Sequence, residues 1–432
     1  MNTDMDKGMD TDTDMDMEEY VAELTRGAKE ASRRLACTST AQKDAAILAI
    51  ADGLFASRNE LQKENQRDIE AARKADLSEA LIDRLLLNDK RIKVMGEALR
   101  KIVTLKDPVG EVLEGWKVPN GMRIEKIRVP LGVILIIYES RPDVTADAAA
   151  LCLKAGNAII LRGGKEAINS NLSIYKIIKK ALGDSGLDQR SVQIVRTTDR
   201  AAVDLLLKAE GYIDVVIPRG GEGLIRAVAE KSRVPVIKHY RGVCHVYVDE
   251  FCDFKKATDI CVNSKVERPA TCNAMETMLV HRDVAIRFLQ DVAKKMKQAG
   301  VELRGCGETR KILPDIKEAS EEDWDAEYLD LVLAVRVVPS LDDALDHITR
   351  HGSGHSDCIV TENITNANRF TNEVDSAAVY VNASTRFTDG GQFGMGAEIG
   401  ISTEKIHARG PMGLPELTSY KFVIHGDGQI RE

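Results

Sequence analysis

Val129-Pro-Leu-Gly-Val-Ile-Leu-Ile-Ile-Tyr138-Glu-Ser-Arg-Pro-Asp-Val-Thr145 is the stretch that decides the fold. Its apolar run, Gly132 to Tyr138, breaks off into polar residues, and a helical pattern follows over Ala146 to Lys154. A short strand that is apolar on both faces has helices against both faces, and that is the condition of a parallel sheet. The same unit recurs downstream. Strand Ala158 to Leu161 leads through Gly163-Gly164 into a helix through Ile174 to Leu182. Strand Val192 to Val195 leads into a helix near Ala201 to Leu207, and strand Val215 to Ile217 leads through Gly220-Gly221 into another. Strands alternating with helices predict an α/β, doubly wound parallel sheet, which takes ligands beyond the carboxyl ends of its strands.

Working outward, apolar residues at three- and four-residue spacing predict helices from Met17 to Leu105, as in Ile47, Ile50, Leu54 and in Leu81, Leu85, Ile92, Met95, Leu99. Residues 115–129 alternate polar and apolar around Pro119-Asn120-Gly121, a turn between two short strands. Such a ribbon is marginal alone, so it needs a partner, either a neighbouring subunit or the last strand, Tyr420 to His425. Beyond Val234 the α/β series begins again. Strand Val246 to Val248, helix Phe254 through Val262, strand Met278 to Val280 and helix Val284 to Gln298 make one half. Strand Leu331 to Val338, helix Leu341 to Arg350, strand Ala378 to Val381 and the glycine-rich segment Asp389 to Gly400 make the other. The expected organisation is therefore a disordered acidic tail over 1–19 and a cofactor domain over 20–114 and 130–233. A catalytic domain over 234–400 and a ribbon over 115–129 and 417–432 complete it.

The formal charge of −8 is concentrated at the start: within residues 1–20 eight acids face Lys7, which gives −7 and leaves −1 for the rest. A near-neutral body with few aromatics lacks the field and the stacking platforms of a nucleic-acid binder. Eight scattered cysteines without a CxxC pair read as reduced thiols, and no metal site is expected; Cys244, His245 and Cys252 have the wrong spacing for one. No run is long enough to span a bilayer and no basic-then-apolar leader opens the chain, so a cytoplasmic protein is expected.

Lys265-Val-Glu-Arg-Pro-Ala-Thr-Cys272-Asn-Ala-Met-Glu-Thr277 approaches one cysteine through polar and small residues, with Lys265 and Arg268 close enough to favour a thiolate. A simple buried cysteine is the plain alternative. Gly163-Gly164 and Gly220-Gly221 are either turns or phosphate loops; the adjacent Arg162, Lys165 and Arg219 favour a dinucleotide with an extra phosphate. Tyr138 to Thr145 is either a catalytic loop or a helix start capped by Asp143 or Thr145. Asn382-Ala-Ser-Thr-Arg-Phe387 offers Ser384, Thr385 and Arg386 to a carboxylate, or is a solvated loop. Among the histidines none has a partner visible in sequence. A Cys/His protease dyad would need flanks that Cys272 lacks.

The segments VPLGVILIIYESRPDVT, AGNAIILRGG, RPATCNAMET, VNASTRFTDGGQFGMGAEIGIST and HARGPMGLPELTSYK are together similar, in order and from about Tyr20 onward, to the γ-glutamyl phosphate reductase family of the aldehyde dehydrogenase superfamily. That resemblance implies an aldehyde-dehydrogenase-like fold with a β-ribbon oligomerisation element. It implies NADPH-dependent reduction of L-glutamyl 5-phosphate to L-glutamate 5-semialdehyde in proline biosynthesis, with Cys272 as acyl-accepting nucleophile. Arg162 stands where relatives touch the adenosine ribose, and Lys165 where enzymes preferring the unphosphorylated cofactor carry an acid, which suits NADPH. Gly220 and Gly221 fall in the loop meeting the nicotinamide end, and Glu327 matches the glutamate that holds the nicotinamide ribose. Two departures stand out. Lys238-His239-Tyr240-Arg241-Gly242 replaces the general-base segment of hydrolytic relatives, and the oxyanion asparagine has no counterpart nearer than Ser140. Arg141 or Arg268 would stabilise departing phosphate. A homo-oligomer and a transient contact with glutamate 5-kinase are further expectations, with no fused kinase domain ahead of Tyr20. An acylating dehydrogenase using a coenzyme A thioester is the nearest alternative; a decayed, non-enzymatic scaffold is another.

Overall fold

The computed structural model describes residues 16–431. Contacts divide the chain into one unit that runs to Ile237 and resumes at Gly413, and a second unit, Lys238–Met412. Most of the acidic tail lies outside the described residues. Its last part, Met17–Glu19, is not a loose end but the first turn of helix Met17–Leu35, where Glu18 and Glu19 complement the helix dipole. Four more helices follow, Thr40–Ala56, Arg58–Lys74, Glu79–Leu85 and Asp89–Thr104. Ser39, Ser78 and Asn88 cap three of them by accepting a backbone N–H of the first turn.

The parallel sheet of the first unit has the order Val192–Ile194, Ala158–Arg162, Val133–Tyr138, Val215–Arg219. Val133–Tyr138 is buried at every position, as its apolar run requires. Helix residues Val21, Leu24 and Ala28 pack on Val133, Leu135 and Ile137. Buried charges fix the remaining helices. Asp68 accepts the Ser170 N–H at 2.8 Å and its hydroxyl at 2.6 Å, and Lys43 pairs with Asp107 at 2.6 Å. Val112–Lys117, Arg123–Pro130 and Thr418–His425 form a three-stranded antiparallel sheet that leaves Trp116, Tyr420, Phe422 and Ile424 exposed.

The second unit departs from the two halves expected. Seven of its strands form one sheet, ordered Lys317–Glu318, Glu302–Gly305, Val332–Val338, Met275–His281, Cys244–Val248, Ser356–Val360, Ala378–Val381, with every neighbour parallel, and Ile401–Ser402 pairs separately with Gly410–Pro411, antiparallel. Three of the seven lack a sequence counterpart. Ser356–Val360 was hidden by its polar start, since Asp357 is buried and accepts the His245 backbone N–H at 2.8 Å. Glu302–Gly305 alternates in burial and its exposed side carries Arg304, paired with Asp323 at 2.7 Å. No helix among the described residues is long and apolar enough to cross a membrane.

Candidate active site

In the first unit, the turns at the carboxyl ends of the parallel strands bring Glu139, Ser140, Arg162 to Lys165 and Arg219 to Gly221 to one edge. The residues expected to cap the following helix do not. Thr145 Oγ1 instead donates to Asn171 at 2.9 Å and lies 2.7 Å from the Tyr138 hydroxyl. Ser140 is buried and its hydroxyl donates to Glu166 at 3.2 Å, so it braces the Gly163-Gly164 turn.

The paired glycines are required first by the protein's own packing. A Cβ on Gly220 would sit 2.5 Å from Glu139 Cδ, and one on Gly163 2.2 Å from Asn171 Nδ2. The Gly221 N–H, at the start of helix Glu222–Lys231, donates to the Glu139 carboxylate at 3.1 Å. A carboxylate thus occupies the position suited to a phosphate, which shows the chemistry that this helix end accepts. Arg162 donates to the Gly163 and Thr198 carbonyls at 2.9 and 3.3 Å, while its Nε is buried with no partner among the described residues. Burial lowers its pKa, against the pull of Glu166. Exposed Lys165, the exposed Gly220-Gly221 backbone and this unspent Arg162 donor fit a phosphorylated nucleotide.

In the second unit, Cys272 lies in the turn between helix Phe254–Val266 and strand Met275–His281. It is partly exposed, whereas Cys244, Cys261 and Cys358 are buried. The turn is gripped from several sides. Gly242 runs against it so closely that a Cβ there would lie 1.9 Å from the Cys272 carbonyl oxygen. Cys244 Sγ donates to that same oxygen at 3.2 Å. Asn273 Nδ2 donates to the Thr388 carbonyl at 2.8 Å, and Thr385 Oγ1 donates to the Asn273 carbonyl at 2.7 Å.

Several expected roles change here. Lys265 does not stand over the thiol as a free cation: it is fully buried and paired with Glu276 at 2.6 Å. Burial lowers the Lys265 pKa and raises that of Glu276, with their mutual attraction opposing both shifts. Ser384 and Thr385 are also buried; Ser384 Oγ lies 3.0 Å from Ser264 Oγ, so both hydroxyls serve the turn rather than a carboxylate. Arg386 pairs with Glu267 at 2.7 Å and donates to Thr271 at 2.9 Å. Arg268 and, in the first unit, Arg141 are exposed. Glu327 accepts the Gly242 N–H at 2.9 Å, which ties it to the surroundings of Cys272. His239 holds the Ile401 carbonyl at 2.9 Å through Nδ1. His355 is fully buried, and burial pushes its pKa down to about 4, so it is neutral at pH 7. Gly242, Cys244, Asn273 and Thr388 escaped sequence reasoning because their contacts join segments far apart in the chain.

A parallel α/β unit with glycine turns, together with a partly exposed cysteine held in a turn of a second parallel α/β unit, defines a class, and comparison supplies it: the aldehyde dehydrogenase family model matches residues 11–322. The chain belongs to the aldehyde dehydrogenase family, whose members are oxidoreductases. Its relatives are specific. The γ-glutamyl phosphate reductase of Caldanaerobacter subterraneus subsp. tengcongensis is 56% identical over 94% of this chain and 98% of its own. That of Thermodesulfovibrio yellowstonii is 56% identical over 97% and 100%. The crystal structure of γ-glutamyl phosphate reductase from Thermotoga maritima matches with a TM-score of 0.94 and 49% identity, covering 95% of this chain and 100% of that one. Within the family, the chain groups with the γ-glutamyl phosphate reductases.

Proposed function

We propose that this chain reduces L-glutamyl 5-phosphate to L-glutamate 5-semialdehyde with NADPH and releases phosphate, the second step of proline biosynthesis from glutamate. The observation that carries the reading is Cys272, partly exposed in a turn whose backbone is held on several sides. The Cys272 thiolate attacks the acyl carbon. A sulfur–carbon bond forms, the carbon–oxygen bond to phosphate breaks, and phosphate leaves with the electron pair. Arg162, Gly163, Gly164, Lys165, Arg219, Gly220 and Gly221 of the first unit, and Glu327 of the second, are the residues that would hold the cofactor, which would supply the hydride for the acyl carbon when bound. The carbon–sulfur bond then breaks, returning the thiolate and freeing the aldehyde. The backbone N–H of Cys272 is the donor assigned to the oxyanion, Arg141 and Arg268 are assigned to the departing phosphate, and Arg386 to the substrate carboxylate, while the Ser140 hydroxyl, committed to Glu166, is left out of the oxyanion site.

Hydrolysis of the thioester would waste the substrate. The segment 238–242 carries no carboxylate, and His239 is engaged with Ile401, so no general base for water comes from it. The lability of an acyl phosphate favours direct handover from glutamate 5-kinase, and the exposed apolar ribbon suits assembly of a cytoplasmic homo-oligomer.

The test is oxidation of glutamate semialdehyde by purified protein with NADP and phosphate, followed by NADPH absorbance. Wild type should turn over, Cys272→Ala should not, and coenzyme A should not replace phosphate. A Cys272→Ala rate equal to wild type, or a rate that needs coenzyme A, overturns the reading.

A further inference from the structure

We propose that Lys265 and Glu276 act as a positioning pair, fixing the turn that carries Cys272 against the segment Glu327–Leu329 and so setting the thiol's orientation for acyl transfer. The inference deepens the proposed function and rests on Cys272 being its nucleophile.

The two residues bracket the turn. Lys265 is in the last turn of helix Phe254–Val266 and Glu276 is the second residue of strand Met275–His281, so their 2.6 Å contact closes the chain around residues 267–274. Both side chains are wholly withdrawn from solvent. Glu276 then uses its second oxygen on another segment, accepting the Leu329 N–H at 3.3 Å. Leu329 has φ +53, a left-handed conformation that a leucine adopts only where its surroundings hold it. Lys265 Nζ lies 5.8 Å from the Tyr328 ring centroid, over the residue next to it. Tyr328 is itself anchored, its hydroxyl donating to Asp323 at 2.7 Å.

The path returns to its start. Glu327 accepts the Gly242 N–H, and Gly242 lies against the Cys272 backbone with no room for a Cβ. Turn, ion pair, Glu327–Leu329 and Gly242 therefore form a closed ring of contacts around the nucleophile. Stability alone is a poor reason for such a pair, because a buried ion pair is often no more stabilising than apolar residues of the same volume. Positioning accounts for what stability does not: two costly buried charges placed at the two ends of the turn, with one oxygen reaching the segment that carries Glu327.

The experiment compares wild type with Lys265→Met/Glu276→Leu, which removes both charges together and leaves neither unpaired, and with Lys265→Met/Glu276→Gln, which keeps an acceptor for the Leu329 N–H. The first variant is expected to melt within about 4 °C of wild type. Its kcat is expected to fall on the order of 100-fold with KM for the semialdehyde little changed, since a nucleophile displaced by about an ångström still binds substrate. The pH profile of Cys272 alkylation by iodoacetamide should shift as well, and the second variant should recover part of kcat. The proposal is overturned if kcat stays within about twofold of wild type. It is equally overturned if activity falls only in step with melting temperature while the alkylation profile stays in place. Alkylation reads the turn without turnover, so an active Cys272→Ala enzyme would sink the proposed function while leaving this measurement to judge the pair separately.

Discussion

Replacing Gly242 with alanine adds one methyl group where the protein has no space for it. The new Cβ would stand 1.9 Å from the Cys272 carbonyl oxygen and 2.6 Å from the Cys272 Cα. Ordinary contacts begin near 3.4 Å, so the two segments must part by about 1.5 Å, the difference between those distances. Neither side yields by rotating a side chain, because both atoms are backbone. Overpacking of this kind costs about 1–3 kcal/mol. A nucleophile moved by about 1 Å loses on the order of 100-fold in turnover. The Gly242 N–H to Glu327 can survive the substitution, so the loss is assigned to the turn rather than to that hydrogen bond. The assay pairs semialdehyde oxidation with urea unfolding and with iodoacetamide labelling of Cys272. A Gly242→Ala enzyme with wild-type turnover and unchanged stability would refute the claim that this contact seats Cys272, the proposed nucleophile.

Three further expectations follow from the first unit. Asp107 is partly buried, which alone would raise its pKa, but hydrogen bonds from Lys43, Thr40 and the Val109 N–H hold it below the ordinary value. A depressed carboxyl contributes stability that is present above its unfolded-state pKa of about 3.9 and lost as pH falls through the folded value. Wild type should therefore lose stability more steeply than Asp107→Asn on acidification below about pH 4; superimposable unfolding curves would contradict this. Asp68→Ala strips a buried acceptor from the Ser170 N–H and hydroxyl, with an expected loss of about 2–4 kcal/mol in urea unfolding, and a loss under about 1 kcal/mol would be inconsistent with it. Phe422→Glu on the exposed ribbon should lower the mass seen by light scattering if that face joins subunits, with the fold retained by circular dichroism.

What could be read in advance depended on how local the signal is. Val133–Tyr138 and Val215–Arg219 announce themselves because burial on both faces demands unbroken apolar runs. Ser356–Val360 is equally buried, yet Ser356 and Asp357 look like loop residues until their partners Thr388 and His245 are present to satisfy them. The small and polar flanks of Cys272 singled it out as a candidate, and the structure leaves it partly exposed. Its seat was not legible, since Gly242 approaches from 30 positions upstream, and Glu327 bonds Gly242 across 85 positions. Lys265 shows the limit most clearly. A cation near a cysteine in sequence suggested thiolate stabilisation, but its charge is committed to Glu276, a carboxyl that nothing in the run Met275–His281 marks as a partner. Ser384 and Thr385 misled for the same reason, their hydroxyls turning inward to Ser264 and Asn273.

The strand Arg123–Pro130 acquires its second neighbour only from Thr418–His425, and 288 positions separate Pro130 from its partner Thr418. At the pace of protein synthesis that gap takes about 15 to 60 s to translate. Throughout it, one margin of the nascent ribbon has bare amides and carbonyls, a template for pairing with another chain. A premature stop ahead of Thr418 would make that condition permanent, so truncated products of this gene should clump or be degraded rather than persist as slightly shorter enzymes.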